Sequence, residues 1–380
     1  MSRRAFLRFS SVFLFSLLTA CDLLIPVSET PPSRALTQAP SATSIPFTQT
    51  PRPTRLPATV TQPPQPTPTT AIDLEVIAAE NADRLALGLQ FDTGSALDFA
   101  WLPEDQGLVI NTSEQALTTS EQAFAPAAFL EASSITQFLL APDGEKYAAI
   151  QSSQQVMLGE LTRGITQTLA ALPGSVTSLA FSPDSTRLAV ASSDANQIVI
   201  WDTRGGVILA NYTLPYWLKD LAISADNGLL AGADITQFSL LFLDPATGAV
   251  LRSLQWTESA SPALYGAVLS PDWSQVAWYA RGTLQLMDAD SGALGPGLEH
   301  EDFISAVAWS PDSRLIASAA AATVAEEFLP VVLLWDAFSG EQLAVLALKN
   351  PVTQLKFNPA GTQLGILTSD GGFQSWIVQP

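Results

Sequence analysis

Residues 176–209, VTSLAFSPDSTRLAVASSDANQIVIWDTRGGVIL, are the stretch that decides the fold. Apolar residues alternate with small or polar ones before the turn Ser182-Pro183-Asp184-Ser185, and three further apolar runs follow it. Short runs of period two, separated by Gly, Asp and Pro, predict antiparallel strands joined by tight turns. The stretch therefore predicts one four-stranded antiparallel sheet.

The Ser-Pro-Asp turn recurs along the chain. Proline fixes φ at the first corner of such a turn, and the Asp, Asn or Gly that follows tolerates a tight backbone. The second residues of the turns are 39, 41, 42, 46, 40 and 48 positions apart, which predicts seven repeats of one unit. The seven turns are Leu102–Asp105, Ala141–Gly144, Ser182–Ser185, Ser224–Asn227, Ser270–Trp273, Ser310–Ser313 and Asn358–Gly361.

The repeated units resemble those of the WD40 family. Trp201-Asp202 and Trp335-Asp336 match the signature dipeptide of that family, and the third and sixth units match it best. The resemblance covers about residues 75–380 and implies an all-β, seven-bladed WD40-like β-propeller with one four-stranded blade per unit. The first, second and fifth units depart from the pattern because they lack the Trp.

The two ends of the repeat region are each incomplete. The seventh unit has three strand-like runs, Val352–Phe357, Gln363–Thr368 and Phe373–Val378, and then stops. The segment Ala82–Leu89 precedes the first unit and has no partner there. Pairing these ends would complete the last blade and remove open sheet edges. We therefore expect the N-terminal strand to close the last blade.

Composition excludes several classes of function. The chain has 17 Lys and Arg against 36 Asp and Glu, a formal charge of -19, so we expect no nucleic-acid binding. One Cys and one His exclude an internal disulfide framework and any site that needs two imidazoles. A hydrophobic share of 47% is enough for a packed core.

Residues 1–20 have the features of an export signal. The apolar run Phe9–Ala20 is too short for a membrane-spanning helix of about 20 residues. The pair Arg3-Arg4 resembles the twin-arginine export motif, and the alternative is an ordinary basic segment. Leu18-Thr19-Ala20-Cys21 resembles the bacterial lipobox, which implies acyl chains such as palmitate on Cys21.

These features predict a lipoprotein anchored at the extracytoplasmic face of a bacterial cell membrane. Residues 21–71 comprise the lipidated Cys21 and a Pro-, Ser- and Thr-rich stretch, whose composition predicts a disordered linker. The predicted order is a signal peptide (1–20), the lipidated Cys and linker (21–71) and the WD40-like propeller (72–380).

His300 is the only histidine, and it occupies the position of the Gly-His pair that opens a WD40 repeat, here Glu299-His300. In the family this His bonds a Ser or Thr and the Trp, and Ser318 and Trp335 are the matching residues. The resemblance therefore implies a structural role for His300 instead of general-base catalysis. The Asp that normally joins this network is not evident in the sixth unit.

No catalytic or metal-binding motif stands out. Asp288-Ala289-Asp290-Ser291-Gly292 resembles the start of a calcium loop, but it lacks the closing Glu and lies where each unit turns into its fourth strand. Nucleotide-binding, nucleophile-elbow and HExxH patterns are absent from the sequence. We therefore expect no enzyme activity, no cofactor and no metal.

A binding surface is the better supported function. In WD40 rings the loops between blades and the loops between second and third strands gather on one face, and here a long insertion, Ala319–Leu329, lies among them. The alternative is that Trp217 and Phe303 pack between blades and the acidic residues form a solvated rim. The candidate residues for a partner-binding face are Tyr216, Trp217, Trp256, Glu299, Glu301, Asp302, Phe303, Glu326 and Glu327.

The sequence thus predicts a monomeric, non-catalytic scaffold that binds a protein or peptide, preferably a basic one, because residues 72–380 carry a formal charge of -23. Two other functions stay open. One is a propeller enzyme, a hydrolase or a quinoprotein-type dehydrogenase, with a substrate or cofactor in its channel. The other is an accessory subunit of an envelope complex.

Overall fold

The computed structural model describes residues 74–92, 94, 96–102, 107–112, 116–120, 123–126, 135–151, 153–161, 166–169, 172–256 and 264–379. The predicted signal peptide with Arg3 and Arg4, Cys21 and the linker lie outside these residues. Every element below belongs to the unit Thr70–Pro380. None of the helices in the described part of the chain is long and apolar enough to cross a membrane.

The described residues form one 3₁₀ helix, Ala79–Arg84, and twenty-seven strands. The strands are β1 (Leu85–Asp92), β2 (Ala96–Trp101), β3 (Leu108–Thr112), β4 (Ala116–Ser120), β5 (Ala123–Pro126), β6 (Ile135–Leu140), β7 (Lys146–Gln151), β8 (Gln155–Glu160), β9 (Thr166–Thr168), β10 (Val176–Phe181), β11 (Arg187–Ser192), β12 (Gln197–Asp202), β13 (Val207–Thr213), β14 (Lys219–Ile223), β15 (Leu230–Asp234), β16 (Ser239–Leu243), β17 (Val250–Gln255), β18 (Gly266–Leu269), β19 (Gln275–Asp288), β20 (Leu294–Phe303), β21 (Ala306–Trp309), β22 (Leu315–Val324), β23 (Glu327–Asp336), β24 (Gln342–Ala347), β25 (Val352–Phe357), β26 (Gln363–Thr368) and β27 (Gly372–Val378).

These strands make seven antiparallel sheets, which we number one to seven in chain order. In the described part of the chain, six of them are four-stranded: β2–β5, β6–β9, β10–β13, β14–β17, β21–β24 and β25–β27 with β1. Sheet five has three strands, β18–β20. Six sheets therefore match the expected four-stranded blade, and sheet five, with three strands, does not match it.

Sheet five differs because β19 runs through the positions of two strands. Its first half pairs with β18 and its second half with β20. The ends of β19 meet, since the Ala289 N–H donates to the Ser274 carbonyl at 2.8 Å. Gly282, near the middle, has φ +73, a conformation that favours glycine. The strand therefore folds back at Arg281-Gly282 without a separate turn.

The sheets form a closed ring. Six clusters of buried apolar side chains lie between successive sheets from one to seven. A seventh cluster packs Phe99 and Trp101 of sheet one against Leu367 and Phe373 of sheet seven. Each sheet is thus covered on both faces, which explains the high apolar share and the alanine-rich strands.

The first strand completes the last sheet, as the incomplete ends predict. β1 pairs antiparallel with β27, from Leu85 opposite Val378 to Asp92 opposite Gly372. The strand begins later than expected because Ala79–Arg84 is a 3₁₀ helix. Ring closure therefore depends on hydrogen bonds between the two ends of the domain.

The recurring turn has one geometry. In the third unit the Ser182 hydroxyl donates to Asp184 Oδ1 at 2.6 Å and accepts the Arg187 N–H at 2.9 Å. The fourth residue of the turn has a positive φ in the six turns whose fourth residue is described, which suits Gly and Asn and explains their recurrence. These residues are Gly144, Ser185, Asn227, Trp273, Ser313 and Gly361.

Candidate functional site

The insertion in the sixth unit is a long β-hairpin. β22 and β23 pair over ten residues without a register shift, so the expectation of a loop at Ala319–Leu329 is wrong. The two-residue tip, Ala325-Glu326, has φ values of +49 and +73, which match the twist of a two-residue hairpin turn. The sequence did not predict this hairpin because its two-residue turn contains neither Gly nor Asn, the residues that usually mark such turns.

The outer part of this hairpin projects beyond its neighbours. β21 pairs with β22 only as far as Ala319, and β24 pairs with β23 only from Val331 onward. The residues beyond, 320–330, form a two-stranded ribbon, which we call the projecting hairpin. Glu326 and Glu327 are exposed at its tip, and Phe328 is 59% exposed. The projecting hairpin thus presents two carboxylates and an aromatic side chain on one protrusion.

A second set of acidic residues lies on β20, beside the projecting hairpin. Glu299 and Glu301 are exposed and Asp302 is half-buried. Glu301 Oε2 accepts the Thr323 N–H at 3.0 Å and the Thr323 hydroxyl at 2.9 Å. One predicted acidic residue therefore already has a partner, and it ties sheet five to the projecting hairpin.

A groove of about 380 Å³ separates these two elements. One side is formed by β20 and the other by the small residues of β22 and by the outer strands of sheet six. Its lining consists of Glu299, His300, Glu301, Ala320, Ala321, Ala322, Thr323, Val324, Ala325, Leu333, Gln342 and Val345. The groove is therefore apolar along one side and acidic at its rim.

The predicted aromatic residues are distributed differently from the acidic ones. Trp256 is only 8% exposed and packs 5.8 Å from Trp278 in the cluster between sheets four and five, so placing it on the binding face was wrong. An indole ring buries a large apolar area, and the neighbouring sheet supplies the pocket for it. Tyr216 and Trp217 are half-buried. Phe303 is 44% exposed, with one edge against Tyr265 at 4.7 Å.

The structure brings His300, Ser318 and Trp335 together. His300 Nε2 lies 2.7 Å from Ser318 Oγ, and Trp335 Nε1–H donates to the same oxygen at 2.8 Å. His300 Nδ1 lies 2.8 Å from the Leu298 carbonyl. A carbonyl can only accept, so Nδ1 carries the proton and Nε2 accepts from the Ser318 hydroxyl. The Leu298 carbonyl takes the place of the Asp expected from the family, and no side-chain pattern signals a backbone acceptor.

His300 borders the groove, but its partner Ser318 does not. Ser318 is fully buried, and its oxygen is occupied by the indole N–H of Trp335. Burial lowers the pKa of His300 against the raising effect of the Leu298 carbonyl, so the ring is neutral near pH 7. The arrangement fixes β20 to sheet six, and it does not expose a nucleophile.

The aspartates of the Trp-Asp dipeptides stabilise turns. Asp336 Oδ1 accepts the backbone N–H groups of Phe338 and Ser339, and Asp202 Oδ1 accepts that of Arg204. Their tryptophans, Trp201 and Trp335, are buried between sheets. These four residues therefore support the fold and do not line the groove.

Asp288, in the calcium-loop-like segment, also belongs to a turn. Its Oδ1 accepts the N–H groups of Asp290 and Ser291 and the Ser291 hydroxyl. Across the described ranges, no three His, Cys, Asp or Glu side chains are grouped so as to hold a metal ion.

Comparison with known families agrees with this geometry. The family model "WD domain, G-beta repeat" matches residues 166–202 and 297–324. The first match runs from β9 through β12, and the second contains most of β20 with β21 and β22. A search of curated proteins finds no match to the chain. The two matched segments and the ring of antiparallel sheets together support a WD40-type β-propeller.

Proposed function

We propose that this chain is a lipid-anchored, extracytoplasmic scaffold that binds a basic protein or peptide and performs no catalysis. WD40 propellers in general serve as protein-interaction scaffolds. The observation that carries the basic specificity is the projecting hairpin, whose exposed tip carboxylates stand beside the exposed carboxylates of β20. Like-signed groups on a protrusion attract an oppositely charged partner and raise its rate of association.

The anchoring part of the proposal is supported by sequence. The lipobox-like segment before Cys21, the basic Arg3-Arg4 pair and the short apolar run fit one export and anchoring route. Acyl chains on Cys21 would hold the propeller at the membrane surface, and the Pro-rich stretch would set its distance from that surface.

The non-catalytic part is supported by the one histidine of the chain. Its imidazole has both nitrogens engaged within the protein, and its serine partner is buried. The proton that Nε2 can reach is that of the buried Ser318 hydroxyl, so this imidazole is not placed to act as a general base on a substrate.

Reversing the charge of the hairpin tip is expected to weaken partner binding. The double variant Glu326→Lys/Glu327→Lys should capture about tenfold less partner at 50 mM salt, because it replaces attraction with repulsion at an exposed site. The difference should shrink as salt is raised. The measurement is quantitative cross-linking and affinity purification of the full-length lipidated protein from its own membrane.

The matched control is Glu145→Lys/Glu341→Lys. It changes the net charge equally at exposed positions outside the projecting hairpin. Capture by this control should stay within about twofold of wild type. Equal losses in both double variants, or no loss in either, would contradict a specific acidic binding surface.

A further inference from the structure

We propose that the free edge of β22 at Ala321–Thr323 receives an extended basic segment of the partner by strand addition, and that Glu301 occupies this edge when the partner is absent. The inference rests on the proposed function and adds the recognition mode and the chemistry of the partner. Strand addition joins backbone to backbone, so it requires an edge with outward-pointing N–H and carbonyl groups.

The register of the hairpin shows which groups point outward. In an antiparallel pair, alternate residues direct their backbone groups away from the partner strand. The Ala319 carbonyl accepts the Ser305 N–H at 2.9 Å, so Ala319 faces away from β23. Because the pairing continues without a shift to Val324, Ala321 and Thr323 face the same way. Within the described residues, no strand pairs with that edge beyond Ala319.

The two strands of the projecting hairpin differ in how their outward edges are kept from pairing with another strand. On β23 one of the outward residues is Pro330, which has no N–H and whose carbonyl accepts the Leu348 N–H at 2.8 Å. On β22 the Glu301 carboxylate accepts the Thr323 N–H in the position where a neighbouring strand would supply a carbonyl. Pro330 blocks strand pairing permanently because it has no N–H. The Glu301 carboxylate, by contrast, is exposed and can be solvated by water when a peptide carbonyl takes its place at the Thr323 N–H.

The residues that line the groove beside this edge indicate which side chains the incoming segment carries. Ala320 and Ala322 leave room beside Leu333 and Val345, which suits an apolar side chain. Glu299 and Glu301 border the same space, and within this described lining there is no Lys or Arg. A segment that alternates basic and apolar residues therefore matches the edge, the groove and the charge together.

The test uses a fluorescein-labelled eight-residue peptide of alternating Lys and Val, titrated into the full-length lipidated protein in detergent micelles. Fluorescence anisotropy should show saturable binding, whereas a Glu/Val peptide of the same length should not bind. N-methylation of the peptide on alternate residues removes donors from one edge. The analogue methylated on the pairing edge should bind at least about tenfold more weakly, because strand hydrogen bonds are lost.

On the protein, the variant Ala321→Pro deletes one outward N–H without removing a bond inside the hairpin, as Pro330 shows on the other strand. It should weaken binding of the Lys/Val peptide at least about tenfold, and the control Ala321→Ser, which keeps the N–H, should stay within about threefold. Equal melting temperatures would show that the variants are folded. Unchanged binding by Ala321→Pro, equal binding of the N-methylated analogues, or no preference for Lys over Glu would overturn strand addition.

The two proposals can fail separately. If Glu326→Lys/Glu327→Lys weakens binding of the peptide while Ala321→Pro does not, the acidic scaffold stands and strand addition is wrong. If the charge reversal leaves capture of the native partner unchanged, the proposed function itself is wrong, whatever the peptide does.

Discussion

Replacing Trp335 with alanine is expected to lower the free energy of unfolding by about 4 kcal/mol, the largest effect that we predict for a single residue. The indole ring is buried between sheets five and six, 5.4 Å from the imidazole of His300. Its loss leaves a cavity, and it also leaves the Ser318 oxygen without the donor that now lies 2.8 Å away. Urea unfolding followed by circular dichroism measures the change.

The control for this prediction separates packing from hydrogen bonding. Ser318→Ala keeps the ring but leaves Trp335 Nε1–H and His300 Nε2 without partners, so it should cost about 2 kcal/mol. A Trp335→Ala variant that unfolds at nearly the same urea concentration as wild type would show that the network contributes little to stability.

Removing the amine of Lys356 is expected to destabilise the ring by about 3 kcal/mol. The Asp98 side chain is only 3% exposed, and Lys356 Nζ lies 2.6 Å from its Oδ1. Taking away one member of a buried ion pair leaves an uncompensated charge, which costs about 3–5 kcal/mol. The Lys356 side chain is 34% exposed, so water replaces part of the lost interaction and the lower end of that range applies.

The effect should be large because this pair joins three sheets. Lys356 lies on β25 of sheet seven, and its amine also donates to the Phe99 carbonyl on β2 of sheet one. Asp98 Oδ2 in turn accepts the Phe138 N–H of sheet two at 3.0 Å. Thermal and urea unfolding of Lys356→Met measure the loss. A Lys356→Met variant that unfolds at nearly the same temperature and urea concentration as wild type would contradict the ion-pair explanation.

Much of the fold could be predicted from sequence because the repeated turn sets the period. Once Ser182–Ser185 and its counterparts are aligned, the strands on either side follow, and those of the third and seventh units agree with the structure to within a few residues. Closure by the N-terminal strand followed from counting, since the seventh unit had one strand too few.

The errors occurred where long-range packing decides the outcome. Trp256 looks like a surface anchor in sequence, and only the position of Trp278 in the next sheet buries it. Seven of the eleven residues in Ala319–Leu329 are alanine or glutamate, which have weak strand propensity, so pairing across the hairpin overrides the local signal.

The candidate site was predicted in part. Its acidic residues could be picked out by charge, and the structure brings Glu299 and Glu301 to one groove with Ala325 of the hairpin tip. The bond between Glu301 and Thr323 could not be foreseen, because it joins residues on different sheets.

Hydrogen exchange of β1 tests most directly whether the domain is one ring closed by its own ends. The measurement is mass spectrometry of the peptides that contain Leu85–Asp92 and Gly372–Val378 in the full-length protein. If β1 completes sheet seven, those of its amides that pair with β27 are protected, and they exchange together with the amides of β27 only when the whole domain unfolds. Exchange of β1 within seconds, while β27 stays protected, would show that the ring is not closed by its N-terminal strand.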